Sequence, residues 1–173
     1  MEIHFLGTGS AFPSPKRCSS CTALRLESGA VWIFDCGEGG QIQIQKSKLR
    51  AGKIRAVFIT HLHGDHLFGL PGMMCTISQA VENQHLDVYG PQGLKNFLRS
   101  SLALSFSNLS YTFTVHEIRI QDIQGTIVVN YLFLQLIIDG FQFVSFSSFF
   151  FIQLIEIFSM LLFIKSFFSF FRI

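Results

Sequence analysis

The chain has 173 residues, four cysteines and a formal net charge of +2. That length suits one domain with a sizeable core, and the charge is too small to mark a nucleic-acid binder by itself. Four thiols in a chain of this size make no disulfide scaffold. With no signal peptide read ahead of the first strand, they point to a reducing compartment, cytosol or nucleus.

Residues 3–6 read as a first strand, and Gly7-Thr8-Gly9 as the turn that ends it. No Gly-Lys-Ser/Thr follows, so this is not a phosphate-cradling Walker loop. Cys18-Ser19-Ser20-Cys21 is a lone C-x-x-C without a second pair at zinc-finger spacing, a weak basis for a redox or structural metal site. Residues 22–27 and 31–34 are alternating or apolar runs separated by Ser28-Gly29, the pattern of a hairpin. Asp35 closes the second run. Glu38-Gly39-Gly40-Gln41 then opens a helix expected over 38–48. Lys46, Lys48, Arg50, Lys53 and Arg55 cluster around its end, a run that is more often a solvated face than a phosphate-binding patch.

The stretch 54–66 carries the chemistry. Ile54-Arg55-Ala56-Val57-Phe58-Ile59 is short, β-branched and aromatic, the profile of a buried strand. It runs directly into Thr60-His61-Leu62-His63-Gly64-Asp65-His66. In an extended segment His61 and His63 leave on the same face. Gly64 is expected to allow a tight turn that points Asp65 and His66 back toward them. Neutral imidazoles and a carboxylate are a ligand set that suits zinc, at roughly 2.0–2.2 Å. Four donors in six residues crowd one ion, so the natural division is two pairs, His61 with His63 and Asp65 with His66. Two metals roughly 3.5–4 Å apart form a clamp for phosphoester hydrolysis.

Beyond the motif, residues 67–70 read as a turn and Pro71 as the first turn of a helix over 71–82, with Met73, Met74, Ile77 and Val81 on its buried face. Residues 86–89 read as a strand, 92–104 as a helix with Leu94, Leu98 and Leu102 as its stripe, and 111–115 as a further strand.

These motifs resemble the metallo-β-lactamase superfamily and, within it, the ribonuclease Z family in its short form. The resemblance rests on Phe5-Leu6-Gly7-Thr8-Gly9-Ser10-Ala11-Phe12-Pro13-Ser14-Pro15, on Phe34-Asp35-Cys36-Gly37-Glu38-Gly39, and on the run from Thr60 to Gly72. Tyr89-Gly90-Pro91 and Val115-His116-Glu117 add to it, and it covers about residues 1–118. It implies an α/β (α+β) fold: the N-terminal half of a metallo-β-lactamase αββα sandwich, with a divergent hydrophobic C-terminal tail. Two zinc ions would be held in the complete family site, with His61 and His63 on one and Asp65 and His66 on the other. Asp65 would also be the catalytic group that takes a proton from the attacking water. The implied activity is that of a phosphodiesterase, an endoribonuclease removing the 3′ trailer from precursor tRNA, in a family similar in often forming homodimers. Asp35 would support the metal loop, set against a plain strand-end turn residue. His85 and His116 match no ligand position. Gly40 departs from the family, which usually has Thr there.

From Arg119 the composition changes. Residues 119–173 hold 13 of the 21 phenylalanines and no histidine or cysteine. They therefore lack the later histidines of the family site, its Gly-Asp-Thr/Cys element and a recognisable tRNA-gripping arm. Residues 143–164 are long and apolar enough for a membrane span of ~20 residues, although Glu156 near their centre would cost ~2.5–3.5 kcal/mol. Residues from 127 could instead form buried strands or helices of a rearranged core. The favoured reading is translated non-coding sequence, since the loss of resemblance and the pyrimidine-codon bias coincide. Two functional alternatives stand beside the tRNA-processing enzyme: a truncated, catalytically inactive product, and a hydrolase of the same fold with another substrate.

Overall fold

The computed structural model describes residues 1–118, and Met1–Ile118 form one unit. The Phe-rich tail, the membrane-span reading of 143–164 and the rearranged-core reading all lie outside the described residues. Among the described residues, no helix is long and apolar enough to cross a membrane.

Six strands make one mixed sheet in chain order: β1 (Glu2–Gly7), β2 (Cys21–Arg25), β3 (Val31–Phe34), β4 (Ile54–Phe58), β5 (His85–Pro91) and β6 (Thr112–Ile118). The first two pairings are antiparallel, and those from β3 to β6 are parallel. The pairing registers place Ala23, Ile33, Val57 and Val88 in one row, all buried in the main core. Against that row pack Ile44 of α1 (Gly40–Lys46), Met73, Met74 and Ile77 of α3 (Leu70–Ser78), and Leu94 and Leu98 of α4 (Leu94–Leu104). The alternate residues Phe34, Phe58, Tyr89 and His116 form a ladder on the other face, with ring centroids 5.0, 5.0 and 4.5 Å apart. The described unit is thus one sheet with helices layered on one face.

Several boundaries differ from the sequence-based expectation. The first helix begins at Gly40, because Gly39 sits at φ 85° and is its cap, and it stops at Lys46 where Ser47 turns extended and its hydroxyl donates to the Ile44 carbonyl. Part of the basic run that follows is a short 3₁₀ turn, Ala51–Lys53. The helix expected to reach residue 82 ends at Ser78, whose carbonyl lies 2.8 Å from the Ser110 hydroxyl. The helix expected from 92 begins at Leu94, with Gly93 as its cap.

Gly64 does not make the expected tight turn. It opens a one-turn helix, α2 (Gly64–Leu67), for which His63 at φ −65° and ψ 146° is the cap. A Cβ at Gly64 would stand 2.3 Å from the exposed Phe68 ring, which would have to swing aside, and Gly64 is not among the residues with a left-handed backbone.

Candidate metal centre

Because β3, β4 and β5 are parallel, their carboxyl ends share one edge of the sheet, the usual place for a site in such sheets. Asp35 leaves β3 at that edge with φ 54°, and its N–H donates to the Phe58 carbonyl. The same edge receives the loop after β1, since β2 returns there antiparallel. That loop carries Ala11, which lies against the motif despite 54 residues of separation.

His61, Asp65 and His66 are buried and His63 is exposed. The ring centroid of His61 is 4.6 Å from that of His63 and 4.1 Å from that of His66, and His66 Nε2 is 3.6 Å from Asp65 Oδ2. The fold therefore gathers all four motif donors into one cluster.

Asp35 is the hub beneath it. Its Oδ1 accepts from the Thr60 N–H at 2.8 Å, and its Oδ2 accepts from His66 Nδ1 at 2.8 Å. The Thr60 hydroxyl lies 3.0 and 2.9 Å from the two carboxylate oxygens and 2.9 Å from His61 Nδ1. This is the supporting role, and not merely that of a strand-end residue. Backbone bonds reinforce it: the Cys36 N–H donates to the His66 carbonyl at 2.7 Å, and the Gly69 N–H to the Cys36 carbonyl at 2.9 Å. Asp65 is held from the opposite side, its Oδ2 accepting from the Ala11 N–H at 2.7 Å, with Ala11 at φ 66°.

Two features fit a borderline metal ion. Burial, followed by the neighbouring His66, lowers the His61 pKa to about 4, so the ring is neutral near pH 7 as a ligand must be. His61 Nε2 is also a buried polar atom with no hydrogen-bond partner, which native structures rarely leave unexplained. One feature falls short: among the described residues, no group of three or more His, Cys, Asp or Glu side chains is arranged to hold a metal ion. The donors are chemically right and gathered, and their set is not closed.

All four cysteines are free thiols. Cys21 and Cys36 are fully buried, and their mutual hydrogen bond, then burial, push the Cys21 thiol up, so this thiol is inert. Its Sγ lies 3.1 Å from where a Cβ on Gly40 would stand, and Gln43 donates to Cys18 Sγ at 3.2 Å. The C-x-x-C is packing around the start of α1. His85 and His116 lie away from the motif, with His116 Nε2 2.7 Å and His85 Nε2 3.6 Å from Asp87 Oδ1. The sequence reading assigned no role to Thr60 or Ala11. A hydroxyl directly preceding a candidate ligand was a usable signal for the first, whereas nothing local marks the second.

A family model described as Anti-Pycsar protein Apyc1 matches residues 1–137. Zinc phosphodiesterase ELAC protein 1 of Mus musculus is 52% identical over 122 residues, covering 68% of this chain and 33% of the relative. Ribonuclease Z of Enterococcus faecalis is 52% identical over 113 residues, covering 64% and 36%. Among solved structures, human tRNase Z, short form, matches at 54% identity and TM-score 0.65 over 68% of this chain and 45% of that one. The metallo-β-lactamase fold protein YhfI from Bacillus subtilis, 16% identical with TM-score 0.54, shares the fold. The chain spans about a third of the length of the curated relatives it matches.

Proposed function

The chain belongs to the family described as Anti-Pycsar protein Apyc1 and is a ribonuclease Z relative in the metallo-β-lactamase superfamily, and on that premise we propose that it carries the metal-loop half of a zinc-dependent endoribonuclease that removes the 3′ trailer from precursor tRNA. The observation that carries this reading is the cluster of His61, His63, Asp65 and His66 fastened to Asp35 at the carboxyl edge of the sheet.

In this reading His61 and His63 hold one zinc, and Asp65 and His66 the other. Zinc, when bound, lowers the pKa of water and stabilises charge on a phosphate. The chain's own groups orient and exchange protons around it. Asp35 fixes the His66 ring through Nδ1, so Nε2 is the nitrogen presented. The Ala11 N–H holds Asp65 through Oδ2, fixing the carboxylate that would both ligate the metal and take the proton of the attacking water. The RNA would be read largely through its shape and backbone, by a homodimer in cytosol or nucleus, where free thiols are at home.

A second reading, a catalytically inactive product, stands beside it because the donors among the described residues do not close into a metal-holding group. A chimera tests whether the metal-loop half is competent, and the original chain tests whether it acts alone. Residues 119–173 are replaced by the corresponding remainder of the mouse relative, and zinc content and precursor tRNA cleavage are measured beside the original chain. The expected outcome is two zinc ions and trailer removal in the chimera, abolished by His61→Ala, with one loosely held ion or none and no cleavage in the original. A chimera that holds two zinc ions but leaves precursor tRNA intact refutes the substrate.

A further inference from the structure

Two histidine rings of the metal loop depend on one carboxylate, and they reach it by different routes. His66 does so directly, Nδ1 to Asp35 Oδ2 at 2.8 Å. His61 reaches it through a neighbour, its Nδ1 lying 2.9 Å from the Thr60 hydroxyl. That hydroxyl has one hydrogen and lies 3.0 and 2.9 Å from the two Asp35 oxygens. A carboxylate offers only acceptors, so the hydroxyl hydrogen must point at Asp35; otherwise oxygens about 3 Å apart would face each other with no proton between them. With its one hydrogen given to Asp35, Thr60 Oγ1 meets His61 as an acceptor, which assigns the proton to Nδ1. The opposite nitrogen, Nε2, is then a bare lone pair, and it is the buried nitrogen that lacks a hydrogen-bond partner.

We propose that Thr60 is a positioning residue: its hydroxyl relays the Asp35 carboxylate to His61, fixing the Nδ1–H tautomer and presenting Nε2 as the ligand nitrogen. The tautomer part stands on hydrogen-bond geometry alone, and only the ligand part rests on the zinc reading above. The Thr60 N–H also donates to Asp35 Oδ1 at 2.8 Å, so the backbone holds the hydroxyl in place without help from the metal.

The test is nitrogen NMR on the full zinc-free chain with labelled histidine at neutral pH, on wild type, Thr60→Val and Thr60→Ser, followed by zinc affinity against a chromophoric chelator. Wild type and Thr60→Ser should show His61 as the Nδ1–H tautomer. Thr60→Val should shift His61 toward Nε2–H while leaving His66 unchanged, and should weaken zinc binding about 10–100-fold, with Thr60→Ser restoring it. A wild-type His61 found as Nε2–H overturns the proposal, whatever the variants do. So does Thr60→Val that keeps Nδ1–H beside an unchanged His66. If Thr60→Val does not fold, the wild-type and Thr60→Ser tautomers decide. The expected tautomers with no zinc bound to any form would refute the zinc reading and leave the relay standing.

Discussion

The His66 Nδ1–H donates to Asp35 Oδ2 at 2.8 Å, both residues are buried, and the bond spans 31 residues of sequence. It fastens the end of β3 to the metal loop. Asp35→Asn keeps the volume and suits the left-handed φ of 54°, but its amide group cannot accept on both sides. The variant should lose about 1–3 kcal/mol of stability in urea unfolding and bind zinc about 10–100-fold more weakly. An unchanged zinc affinity would separate the hub from the metal site.

Gly37 tests how closely the supporting backbone segments pass. A Cβ there would stand 2.0 Å from the Asp65 carbonyl oxygen and 2.5 Å from Ser19 Cβ. Gly37→Ala should therefore cost about 3 kcal/mol, since backbone and not a flexible side chain must move. Gly29→Ala is the control: its φ of 82° carries a strain of about 1 kcal/mol, and nothing lies within 4 Å of the new carbon. Urea midpoints of the two variants give the comparison.

Helix α4 is capped from a distance. The N–H groups of Gly93 and Lys95 both donate to Glu117 Oε1, at 2.8 and 3.0 Å, and the helix has no side-chain cap of its own. Glu117→Ala should destabilise by about 1 kcal/mol and speed amide exchange at Gly93 and Lys95 first. Glu117→Gln, which keeps an acceptor, should lose less.

Tyr111 contributes to the alkaline decline of stability. Its hydroxyl donates to the Met74 carbonyl at 3.1 Å, and burial, with a smaller push from Cys75, raises its pKa above the usual 10.0. The folded state holds this proton more tightly than the unfolded one. Its contribution is therefore complete below pH 10 and is lost as pH rises above that value. Tyr111→Phe should lose about 1 kcal/mol at neutral pH and show a flatter decline between pH 10 and 11, read from denaturant midpoints across that range.

The strands and the metal loop were legible because their signals are local. β-branched runs marked β3 and β4, and three histidines with an aspartate in six residues need no partner elsewhere to be noticed. What stayed hidden is what other segments supply. Ser110 ends α3 from 32 residues away, Glu117 starts α4 from 24 residues away, and Ala11 holds Asp65 across 54. Gly64 misled for another reason: a glycine after a histidine pair looks like a turn, whereas the Phe68 N–H donating to the Gly64 carbonyl at 2.8 Å makes it the start of a helix. Asp35 showed its position in sequence, and the second strand end beside it showed its purpose.

Cys21 Sγ and the missing Cβ of residue 40 compete for the same few cubic ångströms. A side chain at 40 would need Cys21 to yield by a few tenths of an ångström, so the two positions are coupled and a substitution at one changes what the other can hold. A smaller residue at 21 would leave room for the carbon that glycine omits at 40.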